Sequence, residues 1–441
     1  MTKKIVILGA GKSAPYLIRY LYYQRSKLGI SLSIISNVEP IYINEFKDIS
    51  YHNIDINDKI KLVENLNYSY IVVSLLPPQL HFEVAKICSE LGINMITASY
   101  LDEKIKSLDN TFRNNNSFLF MEMGLDPGID HMSAMKMINK LRTKSKILEF
   151  ESYTGGLIKY DEKENPWGYK FTWNPMNVIL AGSDNAYYLK DNIEKFIPYK
   201  EIFQDFSLID IPETGEFEGY PNRNSLIYKE LYSLDDVRTL KRGTLRYNGY
   251  CKAWNALIHL GLTDNSKYVS NLERMSYYDF FNHKIKAKDS DDLKVILKNR
   301  FNINYNSREF RNIKWSGFLS DKKIYMKKSK CSEILLHILK DKWTLHKNDI
   351  DLIAMYHSFI YEEDNKEKKI ISYLKLEGED SIYTAMAKTV GLPIAILIEH
   401  IIISNKKFRG INLPFNRDIY EPVLKKLEKL GVVFKDKEIS I

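Results

Sequence analysis

The chain has 441 residues, more than one hydrophobic core organises, and this implies two or three domains. Hydrophobic residues make up 44% and charged residues 27%, a globular balance that excludes a disordered or fibrous chain. The net charge of +8 is spread without a long lysine cluster, which argues against nucleic-acid binding and leaves a mild pull on anionic ligands.

No run of about 18 or more apolar residues stands out, so no membrane span is expected. The first apolar stretch runs straight into Gly9-Ala10-Gly11, which fits a buried strand better than a signal peptide. Cys88, Cys251 and Cys331 are widely spaced, with no metal or redox spacing, and an odd number argues against a disulfide framework. No metal and a cytoplasmic location are the expectation.

Lys4 to Leu8 reads as a first strand. Ala14, Leu17, Ile18 and Leu21 then recur on one helix face. Further strands are predicted over Leu32–Ser36, Tyr70–Leu76, Asn94–Ala98 and Phe118–Met121, with helical stretches between them. That alternation predicts a parallel, doubly wound sheet. Residues 151–175, rich in Gly, Pro, Tyr and Trp, read as a loop-rich, ligand-facing segment. Residues 255–348 read as mostly charged amphipathic helices. Strand patterning returns over Asp349–Glu362 and Ile370–Glu377, followed by helices over Thr384–Ser404 and around Tyr420–Leu430. The fold class is therefore α/β: a Rossmann domain, an α/β catalytic and dimerisation domain, and a mainly helical insertion. The boundaries are placed at 1–125 plus about 405–441, about 126–254 plus 349–404, and about 255–348.

Gly9-Ala10-Gly11-Lys12-Ser13-Ala14 is the G-x-G-x-x-A form of the dinucleotide fingerprint. Gly9 permits the tight turn, Gly11 lets the backbone approach a pyrophosphate, and Ala14 packs helix on strand. The following helix start offers N–H groups and a positive dipole end to phosphate. The second strand ends at Ser36-Asn37, where an NAD enzyme usually places an acid for the ribose 2′-hydroxyl. Asn37 would not repel a 2′-phosphate, so NADP is favoured and NAD stays possible.

Met123 to His131 follows the strand ending near Met121. Its two glycines and proline make a tight turn at a strand's carboxyl end, where ligands of such sheets bind. Asp126 is a candidate for the active site or a plain helix cap. His131, in the first helical turn, reads as structural.

The stretch Gly124-Leu125-Asp126-Pro127-Gly128-Ile129-Asp130-His131 resembles the signature of the saccharopine dehydrogenases that release glutamate. The resemblance continues through Ser152–Leu157, Asn165–Trp173, Tyr220–Ser225, Arg242–Tyr247 and Tyr383–Gly391, weakest over about 255–340. It implies NADP-linked oxidation of the secondary amine of saccharopine to an imine, which water splits into glutamate and 2-aminoadipate semialdehyde. In similar enzymes Ser99, Tyr100, Arg223, Thr244, Leu245 and Arg246 line the saccharopine site. Gly9, Ala10, Gly11, Lys12, Ser13, Ser36, Asn37, Leu75, Gly124, Leu125 and Asp126 line the dinucleotide. Tyr100 and Asp126 are the catalytic candidates; Tyr100 follows the strand ending at Ala98, and a packed rim tyrosine is its plainer role. The carboxylate-rich substrate suits the planar forks of Arg223 and Arg246.

Two departures from the family pattern bear on chemistry. Asn37 stands where NADP-using relatives tend to carry Arg, and Thr154 where many carry Cys. Two other readings stay open: a related reductive-condensation enzyme, such as a carboxynorspermidine or opine-type dehydrogenase, and a silent NAD(P)-binding regulator. The expected partners are a small-molecule substrate and a second copy of the chain, with no nucleic acid and no membrane.

Overall fold

The computed structural model describes residues 2–161, 163–181, 184–287 and 290–440, with the backbone alone at 290 and 291. Two compact units share the chain: residues 1–143 with 376–434, and 144–375 with 435–441.

The first unit holds the strands β1 (Lys3–Leu8), β2 (Ile30–Ile35), β3 (Ser50–His52), β4 (Ile71–Ser74), β5 (Asn94–Thr97) and β6 (Phe118–Phe120). With Gly410–Asn412 at one edge they form a seven-stranded sheet, in the order Gly410–Asn412, β6, β5, β4, β1, β2, β3. Every ladder is parallel. Ile5 to Leu8 are fully buried, as a central parallel strand covered on both faces demands. The predicted helix face is real: Ala14, Leu17, Ile18 and Leu21 are fully buried, and the helix Pro15–Leu28 starts on Pro15 and ends on a left-handed Gly29. The strand order reverses between β4 and β2 around β1, which sets the ligand crevice at the carboxyl ends of these strands.

The helix Ala385–Ser404 also belongs to this unit. By length and composition it is apolar enough to cross a membrane, with mean hydropathy 1.7, yet 72% of the window is buried inside the protein as core. The sequence pattern hid this because Lys388 and Glu399 interrupt it. Tyr20 donates its hydroxyl to Glu399, so the acid is satisfied inside. A Cβ at Gly391 would stand 2.8 Å from the Leu17 backbone nitrogen, so only glycine lets the two helices approach this closely.

The second unit holds β7 (Lys146–Ile158), β8 (Ala186–Lys190), β9 (Ile193–Ile197), β10 (Ser207–Ile211), β11 (Gly215–Pro221), β12 (Thr239–Tyr247), β13 (Tyr268–Ser270), β14 (Lys328–Lys330), β15 (Asp351–Glu363) and β16 (Lys366–Glu377). Nine strands make one sheet in the order β10, β11, β12, β7, β15, β16, Lys435–Ile439, with β8 on β12 and β9 on β8. β13 and β14 pair separately. The β15–β16 connection is two residues, Asp364 and Asn365, both at positive φ, the conformation a tight hairpin requires.

The structure draws the domain boundaries elsewhere than the sequence pattern does. The helices Ile129–Leu141 and Ala385–Ser404 fall in the first unit, and the strand Lys435–Ile439 pairs with β16 in the second. The helical stretch 255–348 is no third unit. Its Phe280, Ile334 and Trp343 share one core cluster with Trp167, Tyr169 and Tyr220, covering one face of the sheet. The segment 151–175 also differs from expectation. Its first part is strand β7, and Trp167, Tyr169 and Phe171 are fully buried, because their rings are core material rather than a ligand-facing loop. The opposite face of the sheet carries a second core with Tyr153, Leu157, Leu245 and Tyr356.

Candidate active site

In the first unit the predicted dinucleotide residues converge on the carboxyl ends of neighbouring strands. β1 leads into Gly9–Ser13, β2 into Ser36-Asn37, β4 into Leu75, β5 into Ser99-Tyr100, and β6 into the turn Gly124–Asp126. Gly9 has φ +86°, and a Cβ there would meet the Leu75 carbonyl oxygen at 3.1 Å, so the two loops touch through backbone. The Leu75 N–H donates to the Leu8 carbonyl at 2.8 Å, and Tyr42 donates its hydroxyl to the Ala10 carbonyl at 2.8 Å. Gly11 and Lys12 are exposed. The helix that follows has no side-chain cap and no acid in its first turn, which leaves its positive end available to an anion. A Cβ at Gly11 would meet nothing within 4 Å, so space for a pyrophosphate lies over the turn. The fingerprint residues therefore fit a dinucleotide. Ser36 is buried, with its hydroxyl donating to the Val38 carbonyl at 2.9 Å, while Asn37 is exposed beside it.

Tyr100 and Asp126 are both half-buried, and the Tyr100 hydroxyl donates to Asp126 Oδ1 at 2.5 Å. The following helix is capped by Gly128 without a side-chain bond, so Asp126 is not its cap. The phenol and the carboxylate are one hydrogen-bonded pair, an arrangement that can hold or relay a proton.

Ser99 is held by a residue the sequence pattern did not reveal. His81 Nε2 lies 2.7 Å from the Ser99 hydroxyl, and Nδ1 lies 2.9 Å from the Ser74 hydroxyl. Burial pushes the His81 pKa down to about 4, against a small opposing pull from Asp102. The folded protein therefore keeps His81 neutral, and the unfolded chain takes up its proton first as the pH falls. Stability from this site is complete above about pH 6.5 and is lost on acidification towards pH 4. Between pH 7 and pH 5 the loss should be roughly 2 kcal/mol. Urea unfolding at both pH values should show that difference shrinking by about the same amount in His81→Gln. An unchanged acid limb would remove His81 from the account.

In the second unit, strand alternation puts Arg242, Thr244 and Arg246 of β12 on one face. Thr244 sits between Tyr220 of β11 and Thr154 of β7. The Thr154 hydroxyl is buried and has no hydrogen-bond partner. Leu245, predicted to line the substrate, points the other way and is fully buried in the opposite core. Only its carbonyl serves the site, accepting from Arg246 Nη1 at 2.8 Å.

Arg246 is 4% exposed, and the rings of Tyr169, Tyr250 and Tyr220 stand 4.9, 5.2 and 6.0 Å from its guanidinium. Burial works against its charge, but the phenols of Tyr220, Tyr250 and Tyr169 outweigh it and hold its pKa above the ordinary arginine value. Glu218 lies opposite in register, yet its carboxylate turns away to take the N–H groups of Gly249 and Cys251, each at 2.7 Å. Among the described residues no carboxylate lies within ion-pair distance of Arg246, and its Nε has no hydrogen-bond partner. A buried cation held by phenols and one backbone carbonyl, with no carboxylate, is a ready site for an anion. Arg223, by contrast, is exposed on the loop after β11, with φ 58°. The Asn222 N–H donates to the Arg242 carbonyl, four residues before Arg246. At about 3.3 Å per residue the two predicted arginines therefore stand on the order of 13 Å apart along the strand.

Two family models together match nearly the whole chain: the saccharopine dehydrogenase NADP binding domain over residues 5–119, and the saccharopine dehydrogenase C-terminal domain over residues 124–432. The chain belongs to the saccharopine dehydrogenase family. It is 30% identical to the mitochondrial alpha-aminoadipic semialdehyde synthase of Rattus norvegicus, over 98% of this chain and 47% of that protein, so it spans about half the length of that relative. It is 27% identical to the NADP+-linked, L-glutamate-forming saccharopine dehydrogenase of Saccharomyces cerevisiae over the full length of both. The apo structure of the L-Glu-forming Saccharomyces cerevisiae enzyme superposes with a TM-score of 0.87 at 26% identity, covering 99% of this chain and 100% of that one. The fingerprint turn falls within the first matched model and the β12 arginines within the second, so both lie in the matched family. Within it His81, Glu122, Tyr42 and the phenols around Arg246 are the residues that sequence reasoning missed. Tyr169 and Tyr220 were inside motifs that carried the resemblance, but nothing local tied them to an arginine.

Proposed function

We propose that this protein is an NADP-dependent, glutamate-forming saccharopine dehydrogenase, acting reversibly on the secondary amine of saccharopine. The observation that carries the substrate class is the buried Arg246, a guanidinium that lacks a carboxylate and faces the same side of the sheet as the unpartnered Thr154 hydroxyl. Saccharopine has three carboxylates, and two arginines on the order of 13 Å apart suit carboxylates at opposite ends of an extended amine. NADP, when bound at the Gly9–Ser13 turn, supplies the hydride acceptor. The Tyr100–Asp126 pair handles protons, taking one from the amine as hydride leaves or from the water that adds to the imine. Thr154, whose buried hydroxyl has no hydrogen-bond partner, offers that hydroxyl to substrate. The three buried free cysteines support a reducing, cytoplasmic setting, and a homodimer is part of the same reading.

Mixing the purified protein with NADP and saccharopine should raise absorbance at the reduced-nicotinamide band and release glutamate. Turnover of carboxynorspermidine or an opine in its place would move the protein to a sister activity. Silence on all of these amines would leave a cofactor-binding regulator.

Cofactor choice rests on Asn37. It is exposed at the end of β2 and carries no charge to repel a 2′-phosphate. Asn37→Asp should shift the kcat/KM ratio towards NAD, and Asn37→Arg should shift it towards NADP, each by about tenfold, the worth of about 1.4 kcal/mol. A ratio that stays constant in both variants takes the ribose away from Ser36-Asn37.

A further inference from the structure

We infer that Glu122, His131 and Asp130 form a buried brace that positions Tyr100 and Asp126, and that His131 is a positioning residue rather than a packed core histidine. The brace rests on geometry within the first unit. Its kinetic consequence rests on the saccharopine reaction proposed above.

Each end of the brace closes on a backbone N–H beside a reacting side chain. Glu122 Oε1 accepts from the Leu101 N–H at 3.1 Å, one residue after Tyr100. Glu122 Oε2 lies 2.9 Å from His131 Nε2. On the other side of the imidazole, Nδ1 lies 3.6 Å from Asp130 Oδ2. Asp130 Oδ1 in turn accepts from the Gly128 N–H at 2.6 Å, two residues after Asp126. The Tyr100–Asp126 hydrogen bond closes the ring. Two acidic side chains and an imidazole thus lie in line between the loop after β5 and the turn after β6, with Tyr100 and Asp126 at the junction; the ring meets both acids at ion-pair distance, without hydrogen-bond geometry.

These groups are where apolar side chains would cost less. Glu122, Asp130 and His131 are 4%, 1% and 0% exposed, so their desolvation is nearly complete. The backbone bends to place them. Glu122 has φ 59°, a left-handed conformation a glutamate rarely adopts, and its N–H donates to the Ser99 carbonyl at 3.0 Å. Gly128 has φ +145°, and a Cβ there would lie 2.1 Å from the Gly124 oxygen. Phe415 meets the His131 ring edge-on at 5.1 Å, which fixes its plane. Buried polar side chains and a strained backbone in one place are the marks of a site arranged for precision.

The test compares His131→Leu, which keeps apolar volume and removes both ring nitrogens, with His131→Gln, whose amide reaches the position of Nε2. For saccharopine oxidation His131→Leu should lower kcat by about 10- to 100-fold, a part of what proton handling contributes, while KM and NADPH affinity stay within about twofold. His131→Gln should recover most of it. In a Tyr100→Phe background His131→Leu should add less than about twofold, because the hydrogen-bonded pair whose alignment the brace sets is already broken. A residue that merely supports the fold would multiply its loss in both backgrounds, and that result overturns the inference. Amide hydrogen exchange, measured without substrate, reads the brace directly. Leu101 and Gly128 should exchange at least about tenfold faster in His131→Leu, with β1 and β4 as protected as in the parent. Glu122→Gln, isosteric and charge-neutral, should show the same faster exchange to a smaller degree. Parental exchange at both amides overturns the brace whatever the enzyme turns over. A parent that ignores saccharopine while the exchange pattern holds overturns only the reaction.

Discussion

Arg246→Met should lower kcat/KM for saccharopine by about 30- to several-thousand-fold while leaving thermal stability unchanged or higher. The loss follows from removing a charge-assisted, two-pronged contact in a dry site, worth roughly 2–5 kcal/mol. At about 1.4 kcal/mol per tenfold that gives the stated range. The stability side has the opposite sign. Arg246 is buried without a carboxylate, so in the free protein its desolvation is offset only by the rings of Tyr169, Tyr220 and Tyr250 and by one backbone carbonyl. An apolar chain of similar length relieves it. Arg246→Lys keeps the charge, loses the fork and should recover only part of the activity. Arg223→Ala should also weaken saccharopine use, with little effect on folding because that side chain is exposed. NADPH affinity should stay near parental in all of these variants, since both arginines belong to the second unit and the fingerprint turn to the first. Kinetics with saccharopine, NADPH titration and thermal melts together decide it. Parental kinetics in both Arg246→Met and Arg223→Ala sink the substrate assignment. A lower Tm in Arg246→Met with intact kinetics makes Arg246 a structural residue.

What the sequence made legible was local. Gly9 and Gly11 announce their turn because glycine spacing after a buried apolar run has few other uses. Ala14, Leu17, Ile18 and Leu21 announce their helix through period. Both kinds of signal lie within one or two elements. The short edge strands Ser50–His52 and Gly410–Asn412 escaped because three residues carry no period, and their register comes from the neighbouring strand. The aromatic stretch around Trp167 misled because composition does not distinguish a ligand-facing loop from a core, and only the surrounding helices decide. Leu245 is a different lesson. Strand alternation forbids Thr244, Leu245 and Arg246 from sharing one face, so its inward turn was deducible once β12 was read as a strand. His81 and Glu122 were beyond reach. His81 matters through Ser99, eighteen residues away in sequence, and Glu122 through Leu101, twenty-one residues away. No pattern in a single chain ties such pairs together before the sheet brings its loops to one edge.

Gly11→Val should raise the dissociation constant for NADPH by at least about 100-fold, roughly 3 kcal/mol, with almost no change in folding stability. The two fingerprint glycines separate the two effects. Gly9 has φ +86°, and a Cβ on it would sit 3.1 Å from the Leu75 carbonyl, so even Gly9→Ala strains the free protein. Gly11 adopts no such angle, is exposed, and a Cβ on it meets nothing within 4 Å. Valine therefore fits the free protein, with a cost within the half kcal/mol or so usual for surface positions. Its branched carbons then occupy the space over the uncapped start of the helix Pro15–Leu28, where a pyrophosphate would approach the backbone. The variant should melt with the parent and fail to quench or shift NADPH fluorescence at concentrations that saturate the parent. Gly9→Ala should do the reverse in part, lowering Tm before it lowers affinity. If Gly11→Val bound NADPH as tightly as the parent, the phosphates would lie away from this turn, and the glycine pair would be no more than a corner between β1 and its helix.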